Sequence, residues 1–158
     1  MRRRDETLTA EQCRELLEYR AGEMVRLVAT SNAVKVGDVA GSLKRDGYVY
    51  ICVKGRRYFR SRLVWLMHTG SWPTNHIDHI NRIKTDDRIE NLRDVTHQQN
   101  HFNTGAKGYY WNKASQKWLT QIMVNGKSIH IGYYDTEAEA SAAYLAAKLI
   151  YHVIKEKP

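Results

Sequence analysis

The chain has 158 residues, enough for one ordinary domain or two small ones. Its 25 Lys+Arg against 17 Asp+Glu leave a formal charge of +8, which favours a polyanionic partner, and no apolar run approaches membrane-spanning length. The only cysteines, Cys13 and Cys52, stand far apart with no Cys-x-x-Cys, which excludes a thiolate zinc knuckle and a disulfide framework and fits a reduced, cytoplasmic setting.

Met1-Arg2-Arg3-Arg4 carries the charge of a signal n-region, but Asp5, Glu6 and polar residues follow where the apolar core of such a signal would stand. The expectation is a soluble chain that is not exported by this route. Thr9-Ala10-Glu11-Gln12 reads as a capping box, and Leu8, Cys13, Leu16 and Leu17 follow near helical spacing, which predicts a helix over about 10–19. From Glu23 the texture turns to β, with strands predicted at 24–28, at 48–53 after the Asp46-Gly47 turn, and at 57–59 after Lys54-Gly55. Residues 61–69 have helical periodicity that stops at Gly70, with Pro73 soon after.

Between Gly47 and Ile77 there is no acidic residue, while Lys54, Arg56, Arg57, Arg60 and Arg62 crowd into nine positions. Interleaved with Tyr48, Tyr50, Tyr58, Phe59 and Trp65, they form a candidate phosphate-contacting stripe in which Arg56, Arg57 and Arg60 are the expected DNA contacts; the alternative is a solvated basic hairpin with its aromatics turned inward. Asn103-Thr104-Gly105-Ala106-Lys107 reads as a linker. Beyond it, strands are predicted at 107–111, 117–124 and 127–132, the last two joined by Asn125-Gly126, the strongest hairpin signal in the chain. An alanine-rich helix is predicted from Thr136 to about Val153, with Ala140, Ala143, Tyr144, Ala147, Ile150 and Tyr151 along one face.

The run His76-Ile77-Asp78-His79-Ile80-Asn81, followed by Glu90-Asn91-Leu92 and His97-Gln98-Gln99-Asn100, concentrates the chemistry. A carboxylate can hold a hard divalent ion, and the neighbouring imidazole can take a proton from water near neutral pH. Strict strand alternation sends neighbours to opposite faces, so Asp78 and His79 are expected at a twisted strand end that feeds a loop over 81–88. Leu92-Arg93-Asp94-Val95 is the expected return strand and His97 the start of a helix from which Asn100 could face back onto Asp78. A single ion held by Asp78 and Asn100 would then stabilise charge on a scissile phosphate while His79 deprotonates the attacking water.

This segment resembles the His-Asn-His (HNH) homing endonucleases of phages and mobile introns, whose active site is a ββα-metal finger. The resemblance spans about 47–104, including Arg62-Leu63-Val64-Trp65, Gly70-Ser71-Trp72-Pro73, Asp78-His79-Ile80-Asn81 and Arg88-Ile89-Glu90-Asn91-Leu92-Arg93. It implies His79 as general base, Asp78 and Asn100 as metal ligands, and Asn91 as the asparagine that braces the loop and so orients the base. It also implies Mg²⁺ or Mn²⁺ as cofactor and 5′-phosphate and 3′-hydroxyl products. Related sequences usually have His at the position of Ser61 and often Asn at that of Asp87. Ser61 is expected to change only packing, whereas Asp87 is expected to add negative charge to the loop and alter metal affinity.

His97 is a candidate phosphate contact. His76 and His101 read as surface residues, and His68 as packed on its helix. A zinc site built from histidines competes with this reading, but the Asp/Asn oxygen pair and the lack of a cysteine cluster disfavour it.

Residues 106–152 resemble the plant ethylene-response-factor (Apetala-two) type DNA-binding domain through Gly108-Tyr109-Tyr110-Trp111, Lys117-Trp118, Gln121-Ile122, Asn125-Gly126-Lys127 and His130-Ile131-Gly132-Tyr133-Tyr134. That resemblance implies DNA contacts from Tyr110, Asn112, Lys113, Lys117, Trp118, Gln121 and Lys127. Trp111 and Trp118 are each as well suited to the core beneath the helix.

The expected fold class is α+β: an N-terminal helix and strand region over 1–46, a ββα-metal nuclease domain over 47–104, and over 105–158 a three-stranded antiparallel sheet packed on one helix. The expected partner is double-stranded DNA, with no membrane, and a monomer with one metal site should nick. The rival expectation is a non-catalytic DNA-binding regulator whose finger is idle or holds a structural zinc.

Overall fold

In a computed structural model, residues 7–154 are described; the basic start Met1-Arg2-Arg3-Arg4 lies outside them. The chain divides into two compact units, Met1–Asp94 and Val95–Pro158. That division falls neither at 46/47 nor at 104/105, and the reason in the first unit is its core. Leu8, Cys13, Leu17, Met24 and Ala40 from the N-terminal stretch are buried in one cluster with Ile51, Val53, Leu63, Val64, Leu66 and Leu92. The N-terminal residues therefore supply part of the core itself.

Helix α1 (Ala10–Leu16) begins in the expected capping box: Thr9 Oγ1 accepts from the Gln12 amide at 3.2 Å, and Gln12 Oε1 accepts from the Thr9 amide at 3.3 Å. It ends three residues earlier than its periodicity suggests, because Leu17 turns extended and opens strand β1 (Leu17–Arg20), which pairs antiparallel with β2 (Glu23–Arg26). Ala21 and Gly22, both at positive φ (47° and 93°), make the two-residue turn. A Cβ on Gly22 would lie 2.9 Å from the Arg88 backbone nitrogen, so this hairpin lies directly against the loop that follows the Asp78-His79 pair. Tyr19 holds the same loop, its hydroxyl accepting from the Ile89 amide at 3.2 Å.

Strands β3 (Ser42–Leu43), β4 (Val49–Val53) and β5 (Arg56–Phe59) form a three-stranded sheet in that order. Helix α2 (Arg60–Thr69) follows directly and stops at Gly70, whose φ of 76° lets its amide reach the Leu66 carbonyl at 2.9 Å. Strand β6 (His76–His79) then pairs with β7 (Leu92–Val95), the connection closing through a 3₁₀ turn at Ile89–Asn91.

In the second unit, α3 (His97–Phe102) starts in a capping box of Thr96 and Gln99. Strands β8 (Tyr109–Asn112), β9 (Lys117–Val124) and β10 (Lys127–Tyr134) form an antiparallel sheet with β9 in the centre, and α4 (Glu137–Tyr151) covers one face. The Thr120 hydroxyl donates to the Ala140 carbonyl at 3.3 Å, and Gly108 has no room for a Cβ beneath the Tyr144 ring. Among the described residues no helix is long and apolar enough to cross a membrane.

Candidate active site

Asp78 and His79 close strand β6, and each meets a charged partner of its own. The Asp78 carboxylate is buried at 8 % exposure, and its Oδ2 accepts from Arg93 Nε at 2.9 Å and Nη2 at 2.7 Å across the ribbon. His79, at 4 % exposure, places Nε2 2.7 Å from Asp87 Oδ1. The other oxygen of Asp87 accepts from Arg60 Nε at 2.6 Å, and Arg60 Nη2 donates to the Thr85 carbonyl at 2.8 Å. Arg60, Asp87 and His79 thus form a buried chain of charged and polar groups.

One expectation is corrected here. Arg60 is not part of an exposed stripe: it opens α2 with its side chain turned inward, 8 % exposed, so it is not placed to grip phosphate. The negative charge that Asp87 brings to the loop is turned inward, 2 % exposed, and matched there by Arg60. Ser61, also buried, has a packing position, as its place on the helix implies.

Asn91 spans the loop. Its Oδ1 accepts from the Asn81 amide at 3.0 Å, and its Nδ2 donates to Asn81 Oδ1 at 3.0 Å and to the Asp86 carbonyl at 2.7 Å. The Ile80 amide donates to the Asn91 carbonyl at 2.9 Å, so side chain and backbone of one residue hold both ends of the connection. The loop has a second brace in Asp86, which accepts from Asn81 Nδ2 at 2.7 Å and pairs with Arg88 at 2.8 Å. Arg88 first, with Asn81 assisting, holds the Asp86 carboxyl well below the usual carboxylate range.

Tyr48 lies beside the pair, its ring centroid 6.1 Å from that of His79 and 4.6 Å from the Lys84 ammonium. Burial first, then the charges of Asp46 and Asp78, push its hydroxyl pKa upward. In sequence it is one aromatic of the basic stripe, and nothing there ties it to His79.

Arg56 and Arg57 are exposed on β5, where they border an open cleft with Lys44, Arg45 and Tyr50. In the second unit, Asn100 and His97 lie on α3, and the His97 and His101 rings meet edge-on at 4.5 Å. The strand register puts Tyr110, Asn112, Lys117 and Gln121 on the sheet face away from α4. Trp118 falls on the other face, with Thr120 and Ile122, and packs edge-on against Trp111 at 5.7 Å. Its expected DNA contact is therefore replaced by a place on the helix side of the sheet. Asn112 Oδ1 accepts from the amides of Ala114 and Ser115 and so shapes the turn that presents Lys113. Lys117 Nζ pairs with Asp135 at 3.0 Å, and Lys127 is exposed beside the Asn125-Gly126 turn.

Asp78 offers the hard oxygen chemistry that Mg²⁺ or Mn²⁺ requires, as does an asparagine amide oxygen, and such ions keep several waters rather than demanding an all-protein cage. Among the described residues no group of three or more His, Cys, Asp or Glu is placed to hold a metal ion.

Residues 58–102 match the family model described as HNH endonuclease. The matched segment runs from β5 through α3 and contains Asp78, His79, Asp87, Asn91 and Asn100. No curated protein and no solved structure matches the chain.

Proposed function

We propose that this protein is a metal-dependent DNA endonuclease of the HNH type that hydrolyses one phosphodiester bond per binding event. The observation that carries the reading is the conjunction of the family match over 58–102 with the Asp78-His79 pair held above a loop that Asn91 braces at both ends. His79 accepts the proton of the attacking water, the new P–O bond forms as the bond to the 3′ oxygen breaks, and that departing oxygen takes a proton from solvent water, so the products carry 5′-phosphate and 3′-hydroxyl ends. Asp78, with Asn100 as the second ligand implied by the motif, would hold Mg²⁺ or Mn²⁺, which supplies charge stabilisation at the phosphate. Asn91 keeps the loop, and with it His79, in place.

DNA is gripped through phosphates by Arg56 and Arg57 and by the sheet of the second unit, where Tyr110, Lys113, Lys117, Gln121 and Lys127 offer charge and hydrogen bonds. Support for that anchoring is the exposed aromatic and polar face away from α4 and its likeness in sequence to the Apetala-two type of DNA-binding domain. A monomer with one such site nicks, and a cut through both strands requires two.

Conversion of supercoiled plasmid by the purified chain, with Mg²⁺, Mn²⁺ or EDTA and alongside His79→Ala, tests the reading. Open circles that need metal and vanish in the variant are expected. If plasmid and native-genome DNA both stay intact under every metal while duplex DNA is still shifted in a gel, the chain is a DNA-binding regulator instead.

A further inference from the structure

Asp87 and Arg60 have no part in the reaction as set out above, yet they form a deeply buried ionic contact, with side-chain exposures of 2 % and 8 %. Arginine is a donor at every nitrogen and stays charged in proteins. Bound at 2.6 Å, it requires Asp87 Oδ2 to be an acceptor. The remaining oxygen, Oδ1, is then also an acceptor, 2.7 Å from Nε2 of His79. Two acceptors cannot share that contact without a proton, so in neutral His79 the proton sits on Nε2 and the basic lone pair on Nδ1.

We propose that Asp87, pinned by Arg60, is a positioning residue that locks His79 in its Nε2–H tautomer and so makes Nδ1 the nitrogen that takes the proton. The inference rests on the endonuclease reading for its catalytic consequence, but the tautomer is a property of the folded chain alone. The arrangement parallels a catalytic triad, in which a buried carboxylate fixes the tautomer and orientation of a histidine without itself changing protonation state. Here the carboxylate is in turn held by a second contact on α2, and Thr85 fixes the guanidinium through its carbonyl.

The substitution that separates this role from simple packing is Asp87→Asn. An amide has the same shape but one acceptor and one donor. Arg60 must be met by the oxygen, so the amide NH₂ turns toward His79 and can bond only an unprotonated Nε2. The variant therefore drives the proton to Nδ1, the reverse of the wild-type tautomer. Replacing Arg60 as well, in Arg60→Met/Asp87→Asn, releases the amide to rotate, and its oxygen can again accept from Nε2–H.

Long-range ¹H–¹⁵N spectra of the uniformly labelled full chain, without metal or DNA, read the His79 tautomer directly. The expected wild-type result is an Nε2-protonated ring; an Nδ1-protonated ring or an average of the two overturns the inference, with no variant needed. The expected Asp87→Asn result is the switched tautomer, with reversion in the double variant. An unchanged tautomer in the folded single variant also overturns it.

Nicking by Asp87→Asn should fall through kcat with KM little changed, by up to about 10⁴, the loss seen in a wrong-tautomer triad. A change confined to KM would contradict the positioning role. If the tautomers behave as expected and the wild-type chain cuts nothing, the endonuclease reading fails while the Arg60–Asp87–His79 lock stands.

Discussion

Removing either member of the buried Arg60–Asp87 pair should be far more costly than removing both. Arg60→Met leaves the Asp87 carboxylate at 2 % exposure with an imidazole beside it and no full counter-charge; Asp87→Leu leaves the Arg60 guanidinium at 8 % exposure with only the Thr85 carbonyl. Breaking a buried pair from one side costs about 3–5 kcal/mol, because the surviving charge stays desolvated. The double variant buries no unpaired charge, and its remaining loss is the His79 Nε2–H left without an acceptor, about 1–3 kcal/mol. If the two losses simply added, the double variant would instead cost about 6–10 kcal/mol. Equilibrium urea unfolding of the full chain, followed by tryptophan fluorescence and circular dichroism together, measures the difference. With a slope of about 1–3 kcal/mol per molar urea, a single variant should lower the midpoint by about 1 M or more, while the double recovers most of that shift. Single-variant shifts below about 0.3 M, or a double variant as unstable as the summed singles, would refute the pairing of these charges in the core.

Further outcomes can be checked separately. Burial pushes the Cys13 thiol up to about 11, whereas Cys52 is exposed, so a thiol reagent near pH 8 should titrate one cysteine rapidly in the folded chain and the second only on unfolding. Asp86 has a folded pKa lowered by Arg88, so its contribution to stability is full above about pH 4 and is lost as the pH falls through the folded value. Asp86→Asn should therefore flatten the acid limb of the stability profile below about pH 4 without altering the neutral plateau's slope. Gly108→Ala would press a methyl group into the Tyr144 ring and toward the Gln121 carbonyl, so it should lower stability by about 1–3 kcal/mol, seen as a lower thermal midpoint.

The local signals that proved legible are those with a short-range cause. The Thr9 box starts α1 because its partners are three residues apart. Gly70 ends α2 because only a left-handed residue fits there. Asn125 and Gly126, at φ of 51° and 75°, close the β9–β10 hairpin as that dipeptide predicts. The helix predicted through residue 19 fails for the complementary reason: Leu17–Arg20 has helical spacing of apolar residues, but pairing with Glu23–Arg26 and burial of Leu17 override it. Trp118 was ambiguous for a related cause, since an alternating strand does not say which of its faces a later helix will cover.

By itself the sequence determined the motif and its order: Asp78-His79 on a strand, a loop, Asn91 at its end, a return strand and a helix bearing Asn100, then three strands and a helix. Spacing and residue type suffice for these, because caps, turns and strand alternation act over a few positions. What only the tertiary structure decided is where the charges go. Asp87 looks like one acid among several in a polar loop and Arg60 like one base in a stripe, yet 27 residues apart they meet at 2.6 Å in the interior and place a carboxylate against His79. No local pattern encodes that contact. It exists because the shared core of Leu17, Leu63 and Leu92 packs α2 and the 86–89 loop together, and a charge drawn into low dielectric must find its opposite there.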